Sequence, residues 1–165
     1  MRIPGSLSLV LPLVLLGLLS ACNRNSTLGM VGGKAPDFTI QDSDRRVALH
    51  DYKGKAVLLN FWATYCAPCV EEMPSLVQFQ KQMGSKITVV AVSEDGDAEK
   101  YHAFLKQYKI DFLTVRDATQ DSKTLYQTTG IPETFVIDGN GVIRRKFIGA
   151  IDWTRPEIID YFNKM

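Results

Sequence analysis

The chain is expected to fold as one α/β domain, a mixed central β-sheet flanked by helices on both faces. Three observations predict this. Continuous apolar runs of strand length, AVLLNFWA (Ala56–Ala63) and KITVVAVS (Lys86–Ser93), alternate with segments of helical period. Two further runs, TFVID (Thr134–Asp138) and VIRRKFIG (Val142–Gly149), flank the turn GNG and read as an antiparallel hairpin. The composition, 45% hydrophobic and 22% charged over 165 residues, suits a single globular core. The formal net charge is +1 with acid and base interleaved, so no nucleic-acid surface is expected.

At the amino terminus, Arg2 precedes the apolar run Leu7–Leu19, which ends in LSAC (Leu19–Cys22). A charged start, an apolar stretch and small residues are the layout of an export signal, so residues 1–21 read as a signal peptide. The run falls short of the about 20 residues a spanning helix needs, and Pro12 interrupts it. Leu-Ser-Ala-Cys resembles the bacterial lipobox, which implies that Cys22 is lipidated and becomes the first mature residue. An uncleaved anchor, or a simple signal with an incidental cysteine, are the competing readings. Residues 22–34, polar and Gly-rich, read as a flexible tether, leaving 35–165 as the folded domain. A lipid anchor places the domain in the cell envelope, outside the cytoplasmic membrane and held to a bilayer. Disulfides persist in that compartment. With Cys22 lipidated, Cys66 and Cys69 have only each other.

The remaining elements follow in order. FTI (Phe38–Ile40), the turn QDSD and RVALHDY (Arg45–Tyr52) suggest an added N-terminal hairpin with an edge strand. A helix is predicted over Ala67–Met83, with Pro74 inside it as a kink. EDGDAEK offers cap residues before a helix whose Tyr101, Phe104, Leu105 and Tyr108 share a face. DFLTVRD (Asp111–Asp117) reads as a short strand and DSKTLYQ (Asp121–Gln127) as a short helix. Thr154 and Glu157 suggest a capping box opening a last helix to about Asn163, with Ile158, Ile159 and Phe162 as its apolar stripe.

The chemistry concentrates in FWATYCAPCVEEMP (Phe61–Pro74). A buried strand feeding a helix puts the pair at the carboxyl end of the sheet, where open α/β proteins build their sites. Cys66, expected at the first helical position, faces unpaired N–H groups and the positive end of the helix dipole, which favour its thiolate. Cys69 lies one turn on, within reach of a disulfide. So small a loop stabilises little through chain entropy, so a structural staple explains it poorly. Thiol–disulfide exchange, with Cys66 attacking and Cys69 resolving, suits the spacing. A zinc site is disfavoured because only His50 and His102 remain as soft ligands, at no ligand spacing from the pair. Val70 stands where c-type haem attachment needs histidine. An inert buried pair is the remaining alternative. No metal or other cofactor is expected.

FWATYCAPC resembles the active-site segment of thioredoxin-fold proteins. The wider set APDF (Ala35–Phe38), KGKAVLLNFWATYCAPC (Lys53–Cys69), Glu72, Pro74 and TTGIPETFVIDGNGVI (Thr128–Ile143) is similar to the TlpA/ResA-like thiol–disulfide oxidoreductases, within the redoxin and AhpC/TSA-related superfamily. The resemblance implies a thioredoxin-like fold with a central helix–strand insert at about Asp95–Asp117. It assigns Cys66 and Cys69 as nucleophile and resolving thiol of a redox-active disulfide. It assigns Ile131 and Pro132, the latter a cis-proline, to binding the partner backbone, and Glu72 to tuning the thiols. By spacing alone Glu72 could equally be a solvated helix residue. Asn60 stands where ordinary thioredoxin has a buried aspartate, and Tyr65 where it has tryptophan, leaving Trp62 as the motif's indole. Tyr65 and Trp62 are expected to contact the partner, with core packing an alternative or additional role for Trp62.

Direction is expected to be reductive. Ala67 and Pro68 add no basic group between the cysteines, and Glu71 and Glu72 disfavour a second anion. The resemblance implies a client that is an oxidised envelope protein, such as apocytochrome c before haem attachment, and recharging by a membrane-embedded thiol donor. A monomer is expected. Two alternatives come from other classes. A thiol peroxidase of the peroxiredoxin type would want Pro and Thr where Leu59 and Ala63 stand. A non-enzymatic copper- or partner-binding lipoprotein would use its cysteines only to grip.

Overall fold

The computed structural model describes residues 29–43 and 45–165. The signal segment, Cys22 and the start of the tether lie outside the described residues. The end of the expected tether is folded. Gly32 N donates to Ile143 O at 2.8 Å, Ile143 N donates to Gly33 O at 2.9 Å, and Lys34 bridges Val142. Gly29 and Gly32 make this turn possible with φ of +78° and +88°, a region glycine enters without a Cβ clash. Residues 29–34 therefore belong to the folded unit, which corrects the boundary at 35.

Strands β1 (Thr39–Asp42) and β2 (Arg45–Ala48) pair antiparallel as a separate two-stranded sheet. Only the first half of Arg45–Tyr52 is strand. Leu49–Tyr52 turns into a 3₁₀ helix, and the Asp37 carboxylate accepts the His50 N–H at 3.1 Å, so the expected edge strand stops at Ala48.

Strand β3 (Ala56–Trp62) is central and buried on both faces. Its pleat sends Val57, Leu59 and Phe61 into one core and Leu58 and Trp62 into the other. β4 (Ile87–Ser93) runs parallel to β3, and β5 (Leu113–Arg116) parallel to β4. On the other side β6 (Glu133–Ile137) is antiparallel to β3, and β7 (Ile143–Ile148) antiparallel to β6. The order β5-β4-β3-β6-β7 makes the mixed sheet the sequence predicts.

Helices α1 (Ala67–Met83), α2 (Ala98–Gln107) and α4 (Pro156–Asn163) line the core that holds Leu58 and Trp62. The short α3 (Asp121–Tyr126) and the β1–β2 hairpin line the opposite core through Tyr126, Phe38, Ile40 and Val47. α1 passes through Pro74 without ending. Asp97 caps α2, its carboxylate accepting from Glu99 N at 3.0 Å and Lys100 N at 3.1 Å.

The capping box at α4 does not form. The helix starts at Pro156, whose ring presets the first helical φ and needs no N–H partner, and Arg155 is the cap residue. Thr154 Oγ1 instead donates to Asp152 Oδ1, two residues outside the helix. Ile158 and Phe162 are buried as expected, with Ile159 partly so.

Candidate active site

β3 ends at Trp62, and the chain turns through Ala63–Tyr65 into α1, so the cysteines sit at the carboxyl end of the sheet. Cys66 is the N-cap of α1 rather than its first helical residue, and its Sγ accepts from Cys69 N at 3.2 Å. A disulfide joins Cys66 to Cys69, with Cα atoms 5.2 Å apart. Cys66 is 9% exposed and Cys69 0%, so partners can reach only the first sulfur. Pro68, at the second helical position, offers no N–H, which leaves Cys66 fewer backbone donors than a helix start ordinarily supplies.

Ile131–Pro132 is a cis peptide bond, as the resemblance implied. It brings the Ile131 carbonyl oxygen to 3.5 Å from Cys66 Sγ. Ile131 is half-buried at the rim, and Pro132 lies beneath it. Tyr65, directly before Cys66 in the chain, is 68% exposed. Its phenol pKa is raised, by partial burial first and then by the negative Glu94 and Asp95, with Lys123 opposing.

Trp62 does not join this surface. It is fully buried and packs against Tyr101 at 6.1 Å and Phe104 at 5.2 Å between ring centroids. The pleat of β3 turns it inward beneath α2, so the expected partner contact is corrected to core packing. Among the described residues no three His, Cys, Asp or Glu side chains group as a metal site.

Glu72 is buried, one turn along α1 from Cys69, which rules out the solvated reading. Trp153 Nε1 donates to Glu72 Oε1 at 2.7 Å, Asn60 Nδ2 donates to the same oxygen at 3.2 Å, and Ile151 N donates to Oε2 at 3.3 Å. Burial pushes the Glu72 carboxyl up to about 7, against the pull of the Trp153 and Ile151 bonds. Asn60 is itself buried and donates on to Thr134 Oγ1 at 2.9 Å.

Three groups escaped the sequence reading. Trp153, the second of two tryptophans, sits in a non-periodic stretch that gives no hint of its indole bond to Glu72. Asp95 accepts from Thr64 N at 3.0 Å and from Thr64 Oγ1 at 2.6 Å, clamping the loop that carries Cys66. Glu133, directly after Pro132, is fully buried with Lys146 as its ion-pair partner. A carboxylate inside the apolar run ETFVI was the one available signal.

The chain is similar to known proteins along most of its length. The AhpC/TSA family model matches residues 31–146. The thiol-disulfide oxidoreductase ResA of Bacillus subtilis is 34% identical over 134 residues, covering 80% of this chain and 74% of ResA. The thioredoxin-like protein YneN of the same bacterium is 37% identical over 124 residues, covering 73% of this chain and 72% of YneN. The Chlorobium tepidum protein designated DsbE, a thiol:disulfide interchange protein, matches with a TM-score of 0.71 at 32% identity, over 81% of this chain and 93% of its own. The thioredoxin domain of a Bacteroides vulgatus thiol-disulfide oxidoreductase gives 0.70 at 27% identity, over 81% and 96%. With the joined cysteine pair at a helix start beside a cis-proline, these likenesses place the chain in the AhpC/TSA family, as a ResA-like thiol–disulfide oxidoreductase with a thioredoxin-like fold.

Proposed function

We propose that the protein is a lipid-tethered protein disulfide reductase of the cell envelope. The observation that carries this reading is the Cys66–Cys69 disulfide capping α1, with only Cys66 open to the surface and the Ile131 carbonyl beside it. In the reduced state the Cys66 thiolate attacks one sulfur of a client disulfide. The client's other sulfur leaves as a thiolate and takes a proton. Cys69, deprotonated, then attacks Cys66, which releases the second client thiol and closes the ring. An electron pair passes from the enzyme dithiol to the client.

Glu72 is the group that moves the proton at Cys69. Its carboxyl, shifted to about 7, exchanges protons near neutrality, one helical turn from that sulfur. Ile131 and Pro132 receive the client backbone, and Tyr65 supplies a flat apolar cover. The sparse donors around Cys66 and the neighbouring acids weaken its thiolate, which supports a reductant over an oxidant.

The export signal and Cys22 support an anchored position outside the cytoplasmic membrane, where a membrane-embedded thiol donor can recharge the pair. Apocytochrome c is the client class we favour, and the protein acts as a monomer. The test is a Cys69→Ala variant expressed in the native host. Mixed disulfides captured at Cys66, and lost in Cys66→Ser/Cys69→Ala, identify the client. Empty traps under both reducing and oxidising growth overturn the reading and favour a gripping module.

A further inference from the structure

The Glu72 network contains an imbalance. Its carboxylate's three partners among the described residues, Trp153 Nε1, Ile151 N and Asn60 Nδ2, are all donors. They satisfy a carboxylate, and none can accept a proton from a carboxylic acid. The oxygen of the Asn60 amide, Oδ1, is buried and has no hydrogen-bond partner among the described residues. Asn60 spends both hydrogens of its Nδ2, on Glu72 and on Thr134, while its acceptor end stays idle. A buried amide oxygen without a partner is rare and calls for an explanation.

We propose that the Asn60 amide is a two-position proton-responsive element serving Glu72, with Thr134 as its pivot. When Glu72 is ionised, Nδ2 donates to Oε1 and to Thr134 Oγ1, as seen here. When Glu72 gains a proton on Oε1, the amide turns over. Oδ1 then accepts the Glu72 O–H, and the Thr134 hydroxyl, able to donate or accept, rotates to donate to the same oxygen. The carbonyl and NH₂ ends are close in size, so the turn needs no new space. In each orientation the far end of the amide is unpaired, Oδ1 in one and NH₂ in the other. That symmetry favours neither protonation state, so the amide leaves the Glu72 midpoint where burial and the other donors set it.

Other charges around Glu72 do not substitute for this device. Glu71 on α1, Asp152 before α4, and Glu157 and Asp160 on α4 are exposed. Arg145 on β7 lies over the Phe147 and Tyr161 rings. α2 turns Tyr101, Phe104 and Leu105 inward, and the Glu133–Lys146 pair lies on the opposite face of the sheet, in register with Phe61. The cysteines, joined as a disulfide, do not titrate. Asn60 is thus a positioning residue, which acts on the sulfur only through Glu72, and the inference rests on the role proposed for Glu72.

The experiment is nuclear magnetic resonance of the full chain in its disulfide form, titrated from about pH 5 to about pH 9, the range that brackets a carboxyl raised by burial. It reads the network and not activity, so its failure is separate from failure of the reductase. The Glu72 carboxyl carbon and the Asn60 side-chain NH₂ are followed together. The expected result is one shared midpoint, with the Asn60-to-Glu72 hydrogen-bond coupling present above it and lost below. An Asn60 amide that ignores the Glu72 titration overturns the proposal. Asn60→Leu gives an independent reading. If the amide serves both states, each loses one bond and the Glu72 midpoint stays within about half a unit; if Asn60 only donates, the midpoint rises by about one unit or more, which also overturns it.

Discussion

Glu72 and Glu133, two of the three buried glutamates among the described residues, lie on opposite faces of the same sheet, and they are held in different ways. Glu72 on α1 is surrounded by neutral donors from Trp153, Ile151 and Asn60. Glu133 on β6, next to Pro132, faces the second core and has the ammonium of Lys146 against Oε1. That contact lacks hydrogen-bond alignment, and neither Glu133 oxygen has a hydrogen-bond partner among the described residues. Neutral dipoles leave a carboxyl free to gain or lose a proton, whereas a full counter-charge ties the side chain to one partner. The first arrangement suits chemistry and the second suits architecture, fixing β7 against β6 behind the cis-proline.

The largest expected effect is on the architectural side. Lys146→Met leaves Glu133 buried without its counter-charge and should cost about 3–5 kcal/mol in urea unfolding. Adding Glu133→Gln should recover most of that loss, because the stranded charge is gone. A single variant as stable as the parent would break the contrast. The Glu72 side predicts a smaller, pH-dependent effect. Its carboxyl moves from 4.5 to about 7 on folding, so the native state holds a proton that the unfolded chain has released. The stabilisation is complete below pH 4.5 and is lost as the pH rises through about 7, amounting to about 3 kcal/mol. Glu72→Gln should remove this contribution from the stability–pH curve, and a parent curve that rises over the same window would refute it.

This contrast also marks what the sequence could reveal. Continuous apolar runs on both faces of β3 and β4 announced a buried sheet, and the helix over Ala67–Met83 appears with the bounds its pattern predicts. Cys66, Cys69 and the Ile131–Pro132 junction were legible because the motif and its order along the chain are local. Glu72 was visible as a residue, but its environment was not. Its partners come from positions 60, 151 and 153, which only the tertiary fold brings together. Trp62 was misplaced because alternation says that a side chain changes face without saying which face meets the surface. The capping box at Thr154 lost to Pro156, whose fixed φ starts the helix one residue later, with Arg155 as its cap.

The smallest expected effect isolates one bond. Trp153→Phe keeps an aromatic ring against Phe79 and Phe147 but removes the indole N–H from Glu72 Oε1. That bond favours the ionised carboxyl, so its loss should raise the Glu72 midpoint further above about 7, by about one unit or ~1.4 kcal/mol. The pH dependence of client reduction should move upward by the same amount if Glu72 moves the proton at Cys69. The coupling energy between Glu133 and Lys146, measured in a double-mutant cycle, should stay unchanged, since the sheet separates the two sites. A midpoint that moves while the reduction profile stays fixed would leave Glu72 buried and titrating but outside the chemistry, and the two glutamates would then differ in their partners without differing in their roles.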